Sequence, residues 1–529
     1  MSGTIAKLAR VFWLMPGFLL WASFPPMGEK TDVVFALAPL VWLSRRADVK
    51  TSMRRWFANG FLFWFATLSW MPAIVKNGGP WPLVALGWAA LSAYCALYFA
   101  AYGWLSAGFW AFAKTRGYAV RLATIFVAEP VLWCGLELLR SRLFGGFAWN
   151  QLGVAAVNAG FGSPAAFGGV YLCSATVFLI NGAIASIAER MWKWDESGGW
   201  PRWSRPVETV LPVAIAVAVH WCSSKPLPEI EGEPRVVKTA LLQRNFPCVF
   251  REREENPETV YRKLAENVAP YRPDLVVLSE SALCEFGAVE SLASRRFAAE
   301  LLERTGARGV LAGGSRSEDG GEYNSAALYS AGAFEVYDKV HLVPFGEYIP
   351  GDKLFPALQK FAPVGSCTPG KLKCLDFGGV RLGVAICYED TDSAQMRRLA
   401  EKGADMFVFI TNDSWFSRSV EAEQHAWQAV ARAVETGRGI VRVGNSGVSG
   451  TVSPAGAATW IMDGARPLVD AKATMFDALE LPPAESEPRQ TVYTRLGDKP
   501  LFCAFLLLIA GAFLLKYKTN HEKRRQLSM

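Results

Sequence analysis

Apolar runs with few or no charges occupy both ends of this 529-residue chain, at about 9–25, 31–44, 56–75, 81–112, 122–139, 163–189, 207–223 and 499–515. Most approach the roughly 20 residues that an α-helix needs to cross a bilayer. A single globular core does not account for that arrangement, because the interval 225–497 mixes charged and apolar residues like an ordinary soluble domain. That interval is long enough to bury a core of its own. Four segments are therefore expected: a membrane domain of about seven spans over 1–224, a soluble domain over 225–497, a last span over 498–516 and a basic tail over 517–529. Only 19% of residues are charged and 51% are hydrophobic, which fits a chain partly dissolved in lipid.

The net charge of +7 would suit a nucleic-acid binder, but the basic residues gather beside the apolar runs. Arg45, Arg46, Lys50, Arg54 and Arg55 follow the second run, Lys114, Arg116 and Arg121 the fourth, and Lys516, Lys518, Lys523, Arg524 and Arg525 the last. Lys7 and Arg10 precede the first. The positive-inside rule then puts both termini in the cytoplasm and the 225–497 domain on the far side. No nucleic-acid partner is expected. The first run ends at Phe24-Pro25-Pro26 without a small-residue cleavage site, so it reads as a retained anchor.

Ten cysteines without a C-x-x-C pair and only four histidines leave no pattern for a metal site, and no cofactor is expected. Cys367 and Cys374 could pair if their domain faces an oxidising compartment. Glu129, Glu137, Arg140 and His220 lie in or beside apolar runs, where ionisable groups are functional candidates. The competing reading is snorkelling, above all for Glu137 and Arg140 at helical i, i+3 spacing. The glycine-rich, aromatic stretch 144–149 suits a re-entrant or interfacial loop.

Within 225–497 the pattern alternates strand and helix. Val236–Gln243, Asp274–Ser279, Gly309–Gly313, Val380–Ile386, Met406–Ile410 and Gly439–Val443 read as strands. Pro257–Val268, Ala288–Thr305, Asp392–Lys402 and Glu421–Thr436 read as helices, giving a layered α/β structure.

Three segments place a reactive residue where a strand gives way to a loop: Leu278-Ser279-Glu280-Ser281-Ala282, the stretch Tyr337–Glu347 containing Lys339, and Gly383-Val384-Ala385-Ile386-Cys387-Tyr388-Glu389-Asp390. A thiol attacks acyl carbons only as thiolate, so it needs a base or a nearby cation. Glu280 can take the proton if burial raises its pKa, and Lys339 can stabilise an oxyanion. Taken singly, each residue has an ordinary structural explanation. The order and the neighbours carry the signal.

These segments resemble the nitrilase superfamily. The added spans and the sequence H-L-V-P-F-G-E-Y-I-P are similar to the apolipoprotein N-acyltransferase family. Trp133, Glu137, Arg140, Phe147 and Trp149 extend the likeness into the membrane part. The resemblance implies a multi-span membrane domain plus an αββα sandwich. It implies Glu280 as base, Lys339 as oxyanion donor and Cys387 as nucleophile, with Glu347, Tyr388, Glu389, Asn412 and Trp415 supporting the site. Asn445-Ser446-Gly447 matches a further segment of the same cavity.

Two departures stand out: Leu278-Ser279 replaces Trp-Pro before the glutamate, and 245–252 lacks a tryptophan. The implied reaction moves a fatty acyl chain from a membrane phospholipid, through a Cys387 thioester, to the α-amine of a diacylated apolipoprotein. The implied setting is a monomer in the bacterial inner membrane. A membrane-tethered amidase or nitrilase is the alternative enzyme. A transporter or scaffold that has lost catalysis would have favoured a replaced triad residue.

Overall fold

The computed structural model describes residues 13–197, 207–224, 232–247, 255–330, 333–351, 366–416, 418–483 and 490–527. Lys7, Arg10 and residues 248–252 of the departing segment lie outside them. The chain divides into two compact units. One holds 1–69, 85–225 and 496–529, and the other holds 70–84 and 226–495. The short segment Trp70–Val84, which the linear reading left in the membrane domain, groups with the second unit.

Four described helices, mostly within the first unit, are long and apolar enough to cross a membrane: Val49–Asn77, Trp81–Arg116, Tyr118–Arg140 and Ala165–Met191. Leu152–Phe161, Val207–Ser223 and Lys499–Leu514 are shorter apolar helices. The expected run 31–44 is not one helix. Lys30–Val34 forms a 3-10 turn and Ala38–Arg46 an α-helix, with Pro39 in the first turn of the latter. Pro starts a helix well but cannot continue one. The run 9–25 contains the helix Met15–Ala22. The run 81–112, by contrast, is one helix over Trp81–Arg116.

Glu137 and Arg140 do not snorkel, since both are buried. Glu137 accepts from the Leu152 amide at 2.8 Å and from Ser174 Oγ at 2.6 Å. Arg140 donates to the Phe147 and Trp149 carbonyls at 2.6 and 3.0 Å and lies over the Trp64 ring. The pair grips the loop 147–152, satisfying backbone groups that lipid could not. Glu129 meets Arg45 at 2.7 Å, and His220 Nδ1 lies 2.9 Å from Ser163 Oγ.

The second unit is an αββα sandwich. One sheet runs β14-β1-β2-β3-β4-β5 and the other β11-β10-β9-β8-β7-β6. The first contains β1 (Arg235–Gln243), β2 (Leu275–Leu278), β3 (Gly309–Glu318), β4 (Gly321–Ser330) and β5 (Ala333–Asp338), with β14 (Ala473–Leu481) on the far edge of β1. The second contains β6 (Leu375–Phe377), β7 (Val380–Ile386), β8 (Met406–Asn412), β9 (Ile440–Asn445), β10 (Gly450–Val452) and β11 (Ala458–Trp460). β12 (Met462–Asp463) and β13 (Arg466–Pro467) form a separate ribbon.

Strand β2 shows why the apolar run is continuous. Leu275 and Val277 join the core between the sheets, with Val384, Ile386, Val408 and Ile410 of the other sheet. Val276 and Leu278 pack under the helices Pro257–Val268 and Leu292–Thr305. A strand buried on both faces cannot alternate. The second sheet is covered by the helices Ser393–Glu401 and Glu421–Thr436. The helix expected from Ala288 starts at Leu292, because Ser291 caps it by accepting from the Ser294 amide at 3.1 Å. Strands β1, β2 and β3 pair in parallel, as do β7, β8 and β9, so their C-terminal ends gather on common edges. Ligand and catalytic groups collect at such edges.

Candidate active site

Cys387 follows β7 directly and opens the one-turn 3-10 helix Cys387–Thr391. Its φ is +53°, a left-handed conformation that costs a non-glycine residue about 1–3 kcal/mol. Glu389 holds it there. The Glu389 carboxylate accepts from the Ile386 amide at 2.9 Å, the Val340 amide at 2.7 Å, the His341 amide at 3.0 Å and the Tyr337 hydroxyl at 2.9 Å. One buried side chain therefore staples the turn carrying Cys387 to the segment carrying Lys339.

Lys339 follows β5, with its amide donating to the Asn324 carbonyl at 2.8 Å. Its buried ammonium donates to Glu347 Oε1 at 2.9 Å. Asn324 on β4 spends its side-chain amide on two carboxylates, Glu280 Oε1 at 2.7 Å and Glu347 Oε1 at 2.8 Å. Glu347 also accepts from the Val343 amide at 2.8 Å. Glu280 sits just after β2, close against β3, where a Cβ on Gly313 would lie 2.7 Å from Glu280 Cα.

The electrostatics divide the labour. Burial raises the Glu280 carboxyl above the ordinary range, and the Lys339 charge opposes this only in part. Burial works against the Lys339 charge, but Glu347, Cys387 and Glu280 outweigh it and keep the ammonium protonated. Glu347 is held below its ordinary range: burial works against ionisation, and Lys339 and its hydrogen bonds prevail. Burial pushes the Cys387 thiol well up, with Glu280 adding to this and Lys339 opposing it. At rest the site is thus a neutral thiol beside a proton acceptor and a fixed cation. That set can pass a proton from sulfur to carboxylate while the cation meets a developing oxyanion.

Glu280, Lys339, Glu347 and Cys387 are thus brought together, with Glu389 beneath them. The other residues singled out belong to the flanking loops. Asn412 ends β8 and its Oδ1 accepts from Asn445 Nδ2 at 2.8 Å and Ser414 Oγ at 2.7 Å. The Trp415 carbonyl accepts from Asn77 Nδ2 at 2.6 Å. Tyr388 meets His341 edge to face at 5.5 Å. Cys367 and Cys374 are both free thiols.

Residues 16–183 match the family model of the apolipoprotein N-acyltransferase N-terminal domain, and residues 183–471 match that of the carbon-nitrogen hydrolases. The apolipoprotein N-acyltransferase of Geobacter metallireducens is 30% identical over 529 residues, covering 96% of each chain. The chain belongs to the apolipoprotein N-acyltransferase family. The apolipoprotein N-acyltransferase of Vibrio vulnificus is 27% identical over 526 residues, covering 95% of this chain and 96% of its own. Among solved structures, the carbon-nitrogen hydrolase from Helicobacter pylori G27 is similar over 46% of this chain and 89% of its own, with 18% identity and a TM-score of 0.34.

Two parts of this acyltransferase's site escaped the sequence reading. Asn324 lies on β4, a strand whose Gly-Glu-Tyr-Asn-Ser-Ala-Ala start carries little β signal. The other is a buried cluster behind Cys387, made of Asp390, Asp413, His425 and Arg442. Its members are far apart in sequence, and a lone histidine in an alanine-rich helix gives no signal.

Proposed function

We propose that the enzyme transfers a fatty acyl chain from a membrane phospholipid to the α-amine of a diacylglyceryl-cysteine at an apolipoprotein N-terminus, by way of a thioester on Cys387. The observation that carries this reading is the Glu280–Lys339–Cys387 grouping in a chain whose membrane unit and sandwich both match the family. Glu280 accepts the sulfur proton as the thiolate attacks the phospholipid ester carbonyl. The Lys339 ammonium faces the oxyanion. Collapse expels the lysophospholipid alkoxide, which takes the proton back from Glu280. The lipopeptide amine then attacks the thioester, giving Glu280 its proton, and Cys387 leaves as thiolate and is reprotonated. Both substrates carry acyl chains that resist leaving the bilayer, at about 0.8 kcal/mol per CH₂. A membrane-embedded enzyme meets them there. The basic loops support cytoplasmic termini and a sandwich on the periplasmic side of the inner membrane.

The test is incubation of purified enzyme with phospholipid alone. A hydroxylamine-sensitive acyl adduct on Cys387 should approach about one per enzyme if water is excluded. A diacylated lipopeptide with a free α-amine should discharge it, and an N-acetylated one should not. Cys387→Ala should form no adduct. Rapid release of free fatty acid without acceptor would favour a membrane-tethered amidase-type hydrolase instead.

A further inference from the structure

Behind the turn that carries Cys387 lies a closed set of buried charges that the proposed chemistry does not use. His425, on the helix Glu421–Thr436, presents both ring nitrogens to carboxylates: Nε2 lies 2.9 Å from Asp390 Oδ1 and Nδ1 lies 3.2 Å from Asp413 Oδ1. Asp390 belongs to the turn begun by Cys387, and Asp413 opens the turn Asp413–Phe416 after β8. Arg442 on β9 touches the same two carboxylates, Asp390 through Nη1 and Asp413 Oδ2 through Nη2 at 3.6 Å. His425 Nε2 also lies 3.4 Å from the Cys387 carbonyl. All five side chains that face one another here (Asp390, Asp413, Glu421, His425 and Arg442) are buried. Asp413 lies tight against Gly447, where a Cβ would come 1.9 Å from its Oδ2, so only glycine leaves room for this carboxylate.

A neutral imidazole donates from one nitrogen only, so a ring facing carboxylate oxygens on both sides satisfies both only as imidazolium. The count of charges then closes, with two carboxylates against Arg442 and His425. Glu421, 3.5 Å from His425 Nδ1, is driven toward its neutral form by burial and by Asp413. Asp413, Glu421 and His425 also have the types and spacing of a metal site. The guanidinium beside Asp413 and the carboxylates on both ring nitrogens speak against an ion there.

We infer that His425 is a positioning residue for Cys387: as an imidazolium it donates to Asp413 through Nδ1 and to the Cys387 carbonyl through Nε2 while pairing with the charge of Asp390, and so fixes the nucleophile's turn against the neighbouring strand-end turn. Removing it would leave one negative charge uncompensated close to a thiolate that Asp413 already disfavours.

The inference rests on Cys387 as nucleophile, and it is tested without lipid. In the full-length protein with ¹⁵N-labelled histidine rings, one of the four histidines should carry protons on both nitrogens at about pH 8, and its signal should vanish in His425→Gln. Iodoacetamide alkylation of Cys387, followed by peptide mass, should slow by roughly ten- to a hundredfold in His425→Gln, the scale on which misplaced reacting groups lose rate. Leu301→Ala, a buried-core change in the helix Leu292–Thr305, should lower the melting temperature while leaving the alkylation rate intact. Three results would overturn the inference: no imidazolium at that pH, His425→Gln losing only thermal stability, or a stoichiometric metal ion that His425→Gln loses. The ring measurement needs only the unaltered protein, so a variant that does not fold leaves the question decidable.

Discussion

In the membrane unit Arg45 and Glu129 meet at 2.7 Å, both almost fully buried, with Ser186, Trp110 and the Gly182 carbonyl adding further hydrogen bonds. In the sandwich Lys339 and Glu347 meet at 2.9 Å, the lysine buried and the glutamate partly open to solvent, yet Asn324 continues that pair to Glu280, and its cation acts on Cys387. The membrane pair joins one helix to another. The sandwich pair keeps a cation charged and a base poised at the ends of strands. Burying charge is costly in both places, and only the second pair adjoins a group that changes protonation state during the proposed reaction. Buried ion pairs therefore do not mark function by themselves; a neighbouring nucleophile does.

The comparison breaks most visibly at the catalytic end. Glu280→Gln and Lys339→Ala should each lower Cys387 adduct formation by about 10²–10⁴-fold. In the proposed reaction Glu280 works in its ionised form, and its pKa is raised, so activity should fall as pH drops through a value above the ordinary carboxylate range. Lys339→Ala removes the cation that opposes burial and should move that limb to still higher pH; a limb that stays put would show that Lys339 does not set it.

At the membrane pair the roles should reverse. Glu129→Ala strands Arg45 and should destabilise the fold by about 3–5 kcal/mol, seen as a lowered melting temperature in detergent. The rate of adduct formation per folded molecule should hold. A hundredfold fall in rate with unchanged melting would dissolve the distinction between the two pairs. The smallest effect is expected at Asn77, whose amide donates to the Ser414 and Trp415 carbonyls. Asn77→Ala should cost about 1 kcal/mol of stability and leave the pH profile unmoved, measured by melting and by the same adduct assay.

Much of the sandwich is legible in the chain. The helices Pro257–Val268 and Glu421–Thr436 and the strand Val380–Ile386 have the limits that periodicity and flanking residues predict. Glu280 and Cys387 announce themselves because each follows an apolar strand in a distinctive neighbourhood, and Lys339 through the segment His341–Glu347 that follows it. The β4–β5 hairpin does not, since its Ala, Ser, Asn and Glu residues gain strand character only from pairing with β3 and with each other. β14 is likewise defined by its register on β1, where Arg235 faces Leu481 across most of the domain's length. The run 31–44 misled for a local reason: average hydropathy does not register Asp32 in the 3-10 turn Lys30–Val34 or Pro39 in the first turn of the helix Ala38–Arg46. His425 was invisible because its meaning lies in Asp390, Asp413 and Arg442, which only the fold delivers.

The grouping of Trp70–Val84 with the sandwich has a consequence for the order of events during synthesis. Trp70 packs edge-on against Phe416 and donates from its indole to Gln424 at 3.3 Å, and Asn77 reaches carbonyls 337 and 338 residues further along the chain. At about 5–20 residues per second, roughly 17 to 70 seconds separate the emergence of Asn77 from that of its partners. Through that interval Trp70 and Asn77 lack these partners. One piece of the second unit is thus made long before the turn Asp413–Phe416 that it meets.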